Sequence, residues 1–278
     1  MTADFHLDHV QVLSQQPEEL ALFYAAATQG SLTGIGDDLW LCEGPARRVL
    51  VGKGPSNTLG LGGYACADEE SLAAKRNHIA RHGIEIQSAI SPLFSGRDAF
   101  AVTDADGNRI EFSTVGDAPA GNQTPSLAGR LQHVVVASSD IDGLLPFYTD
   151  ALGFHLSDRV QDEAENATAC FLRSDTEHHS FAVFGAPKNR LDHHSYETND
   201  WNGIRDWADH LAAMNVELAW GPGRHGPGNN LFLMFDDIDG NKIEVSAEIE
   251  TIDDDRPAGL WEHSERTLNL WGRGLLRK

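Results

Sequence analysis

Cysteine is scarce in this chain: Cys42, Cys66 and Cys170 are its only three in 278 residues. They lie far apart and form no CxxC or similar spacing, which argues against a disulfide framework and a thiolate zinc site and fits a reducing cytoplasm. Long hydrophobic runs are also missing, and no segment approaches the eighteen or more apolar residues of a membrane span. The amino terminus, MTADFHLDHV, has acidic residues and a histidine where a secretory signal would have a basic region followed by an apolar run. Cationic residues are outnumbered two to one, 21 Lys and Arg against 42 Asp and Glu, for a formal net charge of -21. Such a chain repels nucleic-acid phosphates and anionic membrane surfaces, so neither is expected as a partner. What remains is enough chain for one large or two ordinary domains with full cores.

Thirteen histidines are many for this length, and a repeat sorts them. Four segments open on a leucine-led strand start and run through a polar capping cluster into a helical pattern. They are LDHVQVLSQQPEELALFYAAA, LGGYACADEESLAAKRNHIARHG, LQHVVVASSDIDGLLPFYTDALGF and LDHHSYETNDWNGIRDWADHLAAMN. Asp140 and Asp200 stand where N-caps belong, and Gly83 and Gly153 where a left-handed residue ends a helix. Turn-rich stretches and short apolar runs such as HSFAVF and NNLFLMF follow as further strands, so each unit reads β-α and then several strands. The second and fourth units end almost alike, in DADGNRIEFS (104–113) and DIDGNKIEVS (237–246), each a tight turn leading into a strand with a fixed Glu. The Gly, Pro and Ala-rich stretch 116–129 is the expected linker. The expected organisation is a first domain over 1–120, a second over 130–250 and a tail over 251–278.

Aligning the four openings on their first leucine puts His9, Gly63, His133 and His193 in one column. His193 and His194 point to opposite faces of a strand, so at most one of them can share a metal with His133. If Glu244 points inward, the second half offers two imidazoles and one carboxylate from three strands, the ligand types of the facial triad that binds non-haem Fe(II). A strand histidine taken singly is more often merely half-buried; the set of three carries the metal reading. The first half has His9 and Glu111 but Gly63 in the column of the second histidine, so it is expected to be a structural copy without a competent metal site. His178 and His194 are expected to be solvent-facing or to stand behind the ligands.

These motifs resemble the type I extradiol ring-cleaving dioxygenases of the vicinal oxygen chelate superfamily, over roughly residues 5–248. The resemblance implies an α+β fold of tandem βαβββ modules, paired into open mixed β-barrels. It assigns His133 (in LQHVVV), His193 (in LDHHSYE) and Glu244 (in GNKIEVS) as metal ligands. It gives His179, in HSFAVFGAPKNRLDH, the place of the active-site histidine one strand and one turn before the second ligand. It gives His225, in GPGRHGPGNNLF, the place of the loop histidine that reaches substrate. One position departs from the pattern: the family commonly has a tyrosine ten residues before the carboxylate ligand, and Met234, which has no hydrogen to donate, stands there. The activity implied is Fe(II)-dependent cleavage of a catechol ring beside its two hydroxyls with incorporation of both atoms of O2, with Mn(II) as the other metal this ligand set accepts. The alternatives are a Lewis-acid metalloenzyme of the same superfamily and a protein that binds an aromatic ligand without turnover. The assembly expected is a homo-oligomer, with the carboxyl-terminal tail packed over the barrel mouth or across a subunit interface.

Overall fold

The computed structural model describes residues 5–94, 98–114, 127–253 and 256–275. Most of the linker expected at 116–129 lies outside the described residues. The chain runs through four βαβββ units and a short carboxyl-terminal extension. The first unit is β1 (Phe5–Ser14), α1 (Pro17–Thr28), β2 (Ser31–Gly36), β3 (Leu39–Gly44) and β4 (Arg47–Lys53). The second is β5 (Thr58–Cys66), α2 (Glu69–Arg81), β6 (Gln87–Ser88), β7 (Phe100–Thr103) and β8 (Arg109–Thr114). The third comprises β9 (Arg130–Ser138), α3 (Ile141–Pro146), β10 (His155–Gln161), β11 (Ala167–Arg173) and β12 (Phe181–Gly185). The fourth comprises β13 (Arg190–Thr198), α4 (Trp201–Ala213), β14 (Leu218–Arg224), β15 (Leu231–Asp236) and β16 (Lys242–Ala247). In the extension, β17 (Gly259–Glu262) and α5 (Glu265–Leu268) follow.

Local chemistry explains these elements. Asp140 accepts from the Gly143 amide at 2.9 Å and Asp200 from the Asn202 amide at 2.8 Å, closing the amino ends of α3 and α4. Gly83 and Gly153 adopt φ of 73° beyond their helices, a conformation that costs a residue with a Cβ. The two Asp-x-Asp-Gly-Asn turns fold alike. Asp104 and Asp237 each accept from the amides two and four residues on, and Gly107 and Gly240 supply the positive φ.

Two mixed sheets result, in the orders β2-β3-β4-β1-β5-β8-β7-β6 and β14-β15-β16-β13-β9-β12-β11-β10-β17. In each, the first strands of two units pair antiparallel at the centre, β1 with β5 and β9 with β13. The arrangement is the α+β fold of tandem βαβββ modules. The extension adds a strand of its own, β17, parallel to β10 at the sheet edge.

One apolar core joins the two sheets, with Phe5 packing edge-on against Tyr64, Phe112 and Phe154. Polar contacts across it are reciprocal. Tyr24 of α1 donates to Asp237 at 3.1 Å, and Tyr148, just after α3, donates to Asp104 at 2.7 Å. Each half's Phe-Tyr helix thus holds the other half's Asp-Gly-Asn turn, which gives the repeated turn a structural use. Burial in these pairs pushes both tyrosine hydroxyls well above their ordinary range.

Candidate metal centre

The candidate ligands come from three neighbouring strands, β9, β13 and β16. His133 and Glu244 both stand opposite Ser195, in register across the ladder, and His193 lies two residues from Ser195 on the same face. All three side chains are buried. His133 Nε2 is 3.3 Å from His193 Nε2 and 3.6 Å from Glu244 Oε2, and His193 Nε2 is 3.3 Å from that same oxygen. Three ligands at about 2.1 Å from one ion would stand about 3.0 to 3.5 Å apart, depending on its geometry. The donor triangle therefore fits a first-row divalent metal, and its composition fits the two-histidine, one-carboxylate face.

Backbone irregularity aims the imidazoles. The β9–β13 ladder passes from Leu131 to His133 and from Leu191 to His193 with Gln132 and Asp192 as the extra residues, so each histidine directly follows a β-bulge. The bulged residue then reaches its own neighbour's ring. His193 Nδ1 donates to Asp192 Oδ1 at 2.7 Å, and His133 Nδ1 donates to Gln132 Oε1. Both rings are thereby held with Nε2 turned inward, the arrangement in which an outer partner fixes the tautomer of a metal-binding histidine. Asn230 Nδ2 donates to Glu244 Oε1 at 3.1 Å, which leaves Oε2 as the oxygen facing the histidines. Sequence reasoning missed Gln132, Asp192 and Asn230. The recurrence of a polar residue before the histidine, Asp8-His9, Gln132-His133 and Asp192-His193, was the available signal, but strict alternation would send that residue to the other face.

Charge supports the cluster. Burial pushes the Glu244 carboxyl up, yet its bonds to His133 and His193 outweigh this and hold it well below the usual carboxylate range. Burial lowers His133. At His193, Asp192 and Glu244 overcome the burial and raise it.

His179 and His225 join the same pocket, together with Val135, Phe171, Phe184, Trp220, Pro227, Met234, Thr267 and Leu268. The His179 ring centre is 4.4 Å from that of His133, and His225 Nε2 is 3.8 Å from Glu244 Oε1. His225 Nδ1 donates to the Leu268 carbonyl at 2.6 Å and its ring stacks flat on Phe232, 3.8 Å between centres. Its Nε2 is thus the free nitrogen. Burial pushes both His179 and His225 down, so they are neutral imidazoles at neutral pH. The extension closes the outer side of the pocket with Thr267 and Leu268.

Two expectations change. His178 and His194 are both fully buried, not solvent-facing. His178 does stand behind the site, against His179. His194 lies on the opposite face of β13, where it stacks on Tyr24 of the other half at 5.4 Å, and burial pushes it down to about 3. The alignment of Gly63 with His193 is also off by two. Gly63 pairs with both His9 and Glu111, as Ser195 does with His133 and Glu244, so Leu61 holds the ladder position of His193. The leucines at 59 and 61 made the starting point ambiguous. Leu61 offers no ligand either. A Cβ on Gly63 would lie 2.3 Å from His9 Cε1, so the glycine makes room for that ring. His9 Nε2 meets Ser91 Oγ at 2.6 Å, while Glu111 accepts from the Ile90 and Ser91 amides and from Arg109. Among the described residues, His133, His193 and Glu244 are the one group placed to hold a metal.

Known proteins resemble the chain in sequence and in fold. Residues 130–245 match the model of the Glyoxalase/Bleomycin resistance protein/Dioxygenase superfamily. The chain is 26% identical over 227 residues to metapyrocatechase 2 of Cupriavidus necator, spanning 73% of this chain and 69% of that protein. It is 25% identical over 278 residues to an iron-dependent extradiol dioxygenase of Rhodococcus jostii, spanning 90% of each. Among solved structures, homoprotocatechuate 2,3-dioxygenase from Arthrobacter globiformis superposes with a TM-score of 0.83 at 19% identity, over 99% of this chain and 90% of that one, a likeness of fold. The superfamily match is confined to residues 130–245, and the likeness of fold extends over the whole chain.

Proposed function

We propose that the protein is an Fe(II)-dependent extradiol dioxygenase that cleaves a catecholic ring, with His133, His193 and Glu244 as the metal ligands. The observation that carries this is the convergence of two imidazoles and one carboxylate on one point of a pocket that also holds two further histidines outside that group. When bound, Fe(II) would supply the open positions at which a vicinal diol and O2 meet and the redox path between them, a role Mn(II) can also fill with these ligands.

The remaining chemistry belongs to the chain. Val135, Phe171, Phe184, Trp220 and Leu268 present an apolar enclosure that accepts an aromatic ring and excludes water. His179, neutral and beside His133, accepts a proton from one substrate hydroxyl and returns it when the product is formed. His225 Nε2, with its Nδ1 tied to Leu268, accepts a hydrogen bond from the diol or its product on the loop side. No Lys or Arg lines the pocket among the described residues, which favours a diol with an uncharged substituent over a carboxylated one.

Three buried thiols free of disulfides suit a reducing cytoplasm, and no described helix is long and apolar enough to cross a membrane. A closed homo-oligomer is the assembly proposed.

Oxygen uptake by anaerobically Fe(II)-loaded protein, offered catechol, 3-methylcatechol and 2,3-dihydroxybiphenyl, tests the activity. Uptake with a yellow product, absent in His193→Ala, is the expected result. Absence of uptake with every diol despite stoichiometric iron would replace it with the ligand-binding reading, for which Met234 in the pocket is the favouring observation.

A further inference from the structure

His178 is buried immediately behind the pocket, and its two ring nitrogens face two different groups. Nδ1 lies 2.9 Å from Nδ1 of His179. Nε2 lies 3.0 Å from Asp158 Oδ2, which it meets off the line of its N–H bond. Asp158 sits on β10 and is itself held by the extension: Trp261 Nε1 donates to it at 2.7 Å, the Gly259 amide at 3.1 Å and Arg256 Nη2 at 3.1 Å. Gly228, at φ of 76°, lies against the same ring, and a Cβ there would come within 3.0 Å of His178 Nδ1.

The proton count along this row has one consistent solution for neutral rings. A carboxylate can only accept, so the nitrogen it faces, His178 Nε2, carries the hydrogen. Nδ1 of a neutral His178 is then an acceptor. Only one hydrogen fits between two nitrogens 2.9 Å apart, so it belongs to His179 Nδ1. His179 is left with a bare Nε2.

We propose that Asp158 and His178 are positioning residues that hold His179 in its Nδ1–H form, with Nε2 proton-free for the substrate, and that residues 256–261 of the extension fix Asp158 for this task. The proposal rests on the reading of His179 as the proton acceptor in ring cleavage. It gives the extension a part in the chemistry beyond covering the pocket.

Nitrogen-15 NMR of protein labelled at histidine and loaded with diamagnetic Zn(II) reads the tautomer directly, with His179→Gln identifying the signals. The expected spectrum shows His179 protonated at Nδ1 and bare at Nε2. In Asp158→Asn the carboxylate charge that favours hydrogen on His178 Nε2 is lost, so the His179 hydrogen is no longer confined to Nδ1 and the signal of an Nε2–H form appears. In the iron-loaded form kcat then falls about tenfold or more, part of what positioned proton transfer contributes, with KM and iron content unchanged. A wild-type His179 protonated at Nε2 overturns the proposal, and so does an Asp158→Asn enzyme with the tautomer and kcat of the wild type. The wild-type spectrum decides alone if the variant does not fold. Failure of every diol to turn over would instead remove the functional reading and leave the spectrum to be judged by itself.

Discussion

Met234 stands directly opposite Glu244 in the ladder of β15 and β16 and turns its side chain into the pocket. Among the described residues no tyrosine lines that pocket, and the Thr267 hydroxyl is already committed to the Glu262 carbonyl at 2.6 Å. In the proposed reaction, proton traffic then falls to His179 and His225. Restoring a hydroxyl by Met234→Tyr should raise kcat/KM several-fold, while overpacking a buried position lowers stability by about 1–3 kcal/mol. Met234→Leu, similar in volume and equally without a donor, should stay within about twofold of the parent. Steady-state kinetics beside thermal melts would check both, and a tyrosine variant that binds iron yet turns over more slowly would show that the thioether is itself needed.

The bulged neighbours of the two candidate ligand histidines give a second expectation. Asp192→Ala and Gln132→Ala remove the acceptors of His193 Nδ1 and His133 Nδ1 without touching a ligand atom. Each should weaken metal binding by about 10- to 100-fold, as loss of an outer partner does elsewhere. Competition with a chelating dye measures this; unchanged affinity in both would mean that the bulges aim the rings unaided.

Stability in acid should depend on Asp158. Burial pushes its carboxyl up, but His178, Trp261 and Arg256 together outweigh that and hold it below the usual range. A folded-state value below the unfolded one contributes stability that is present above the unfolded value, about 3.9, and is lost as pH falls through the folded value. Urea melts of the wild type and Asp158→Asn should therefore converge as pH drops from about 5 to below the folded value. A constant gap across that window would remove the carboxylate from the acid response.

The reciprocal tyrosines address how the halves hold together. Tyr24→Phe and Tyr148→Phe each delete one hydrogen bond to a buried aspartate across the core. Each should cost about 1.5–3 kcal/mol, the range for a bond to a charged partner. Calorimetry that found neither variant shifted would show the two turns to be stable without their partner helices.

Sequence and structure agree where a single residue type does a single local task. The caps at Asp140 and Asp200, the glycines at 83 and 153, the Asp-Gly-Asn turns and the four βαβββ units were all legible, because each depends on a few neighbouring residues. His133, His193, Glu244, His179 and His225 were legible through spacing and resemblance. The ladder position of Leu61 was hidden by two leucines in LGLGGY, which only the strand register separates. Gln132 and Asp192 were hidden because a bulge breaks the alternation from which faces are read. His178 looked like a surface residue because Asp158, its partner, is twenty positions away on another strand, and the extension that covers both has no counterpart in the repeat.

A single-turnover reaction of the Fe(II)-loaded protein with 18O2 and 3-methylcatechol tests the central claim most directly. The expected product is a yellow ring-opened hydroxy-oxo-dienoate carrying oxygen from 18O2, formed once per bound iron and not formed by Glu244→Ala. A colourless dicarboxylic product, from cleavage between the hydroxyls, would contradict it, as would intact catechol beside fully bound iron.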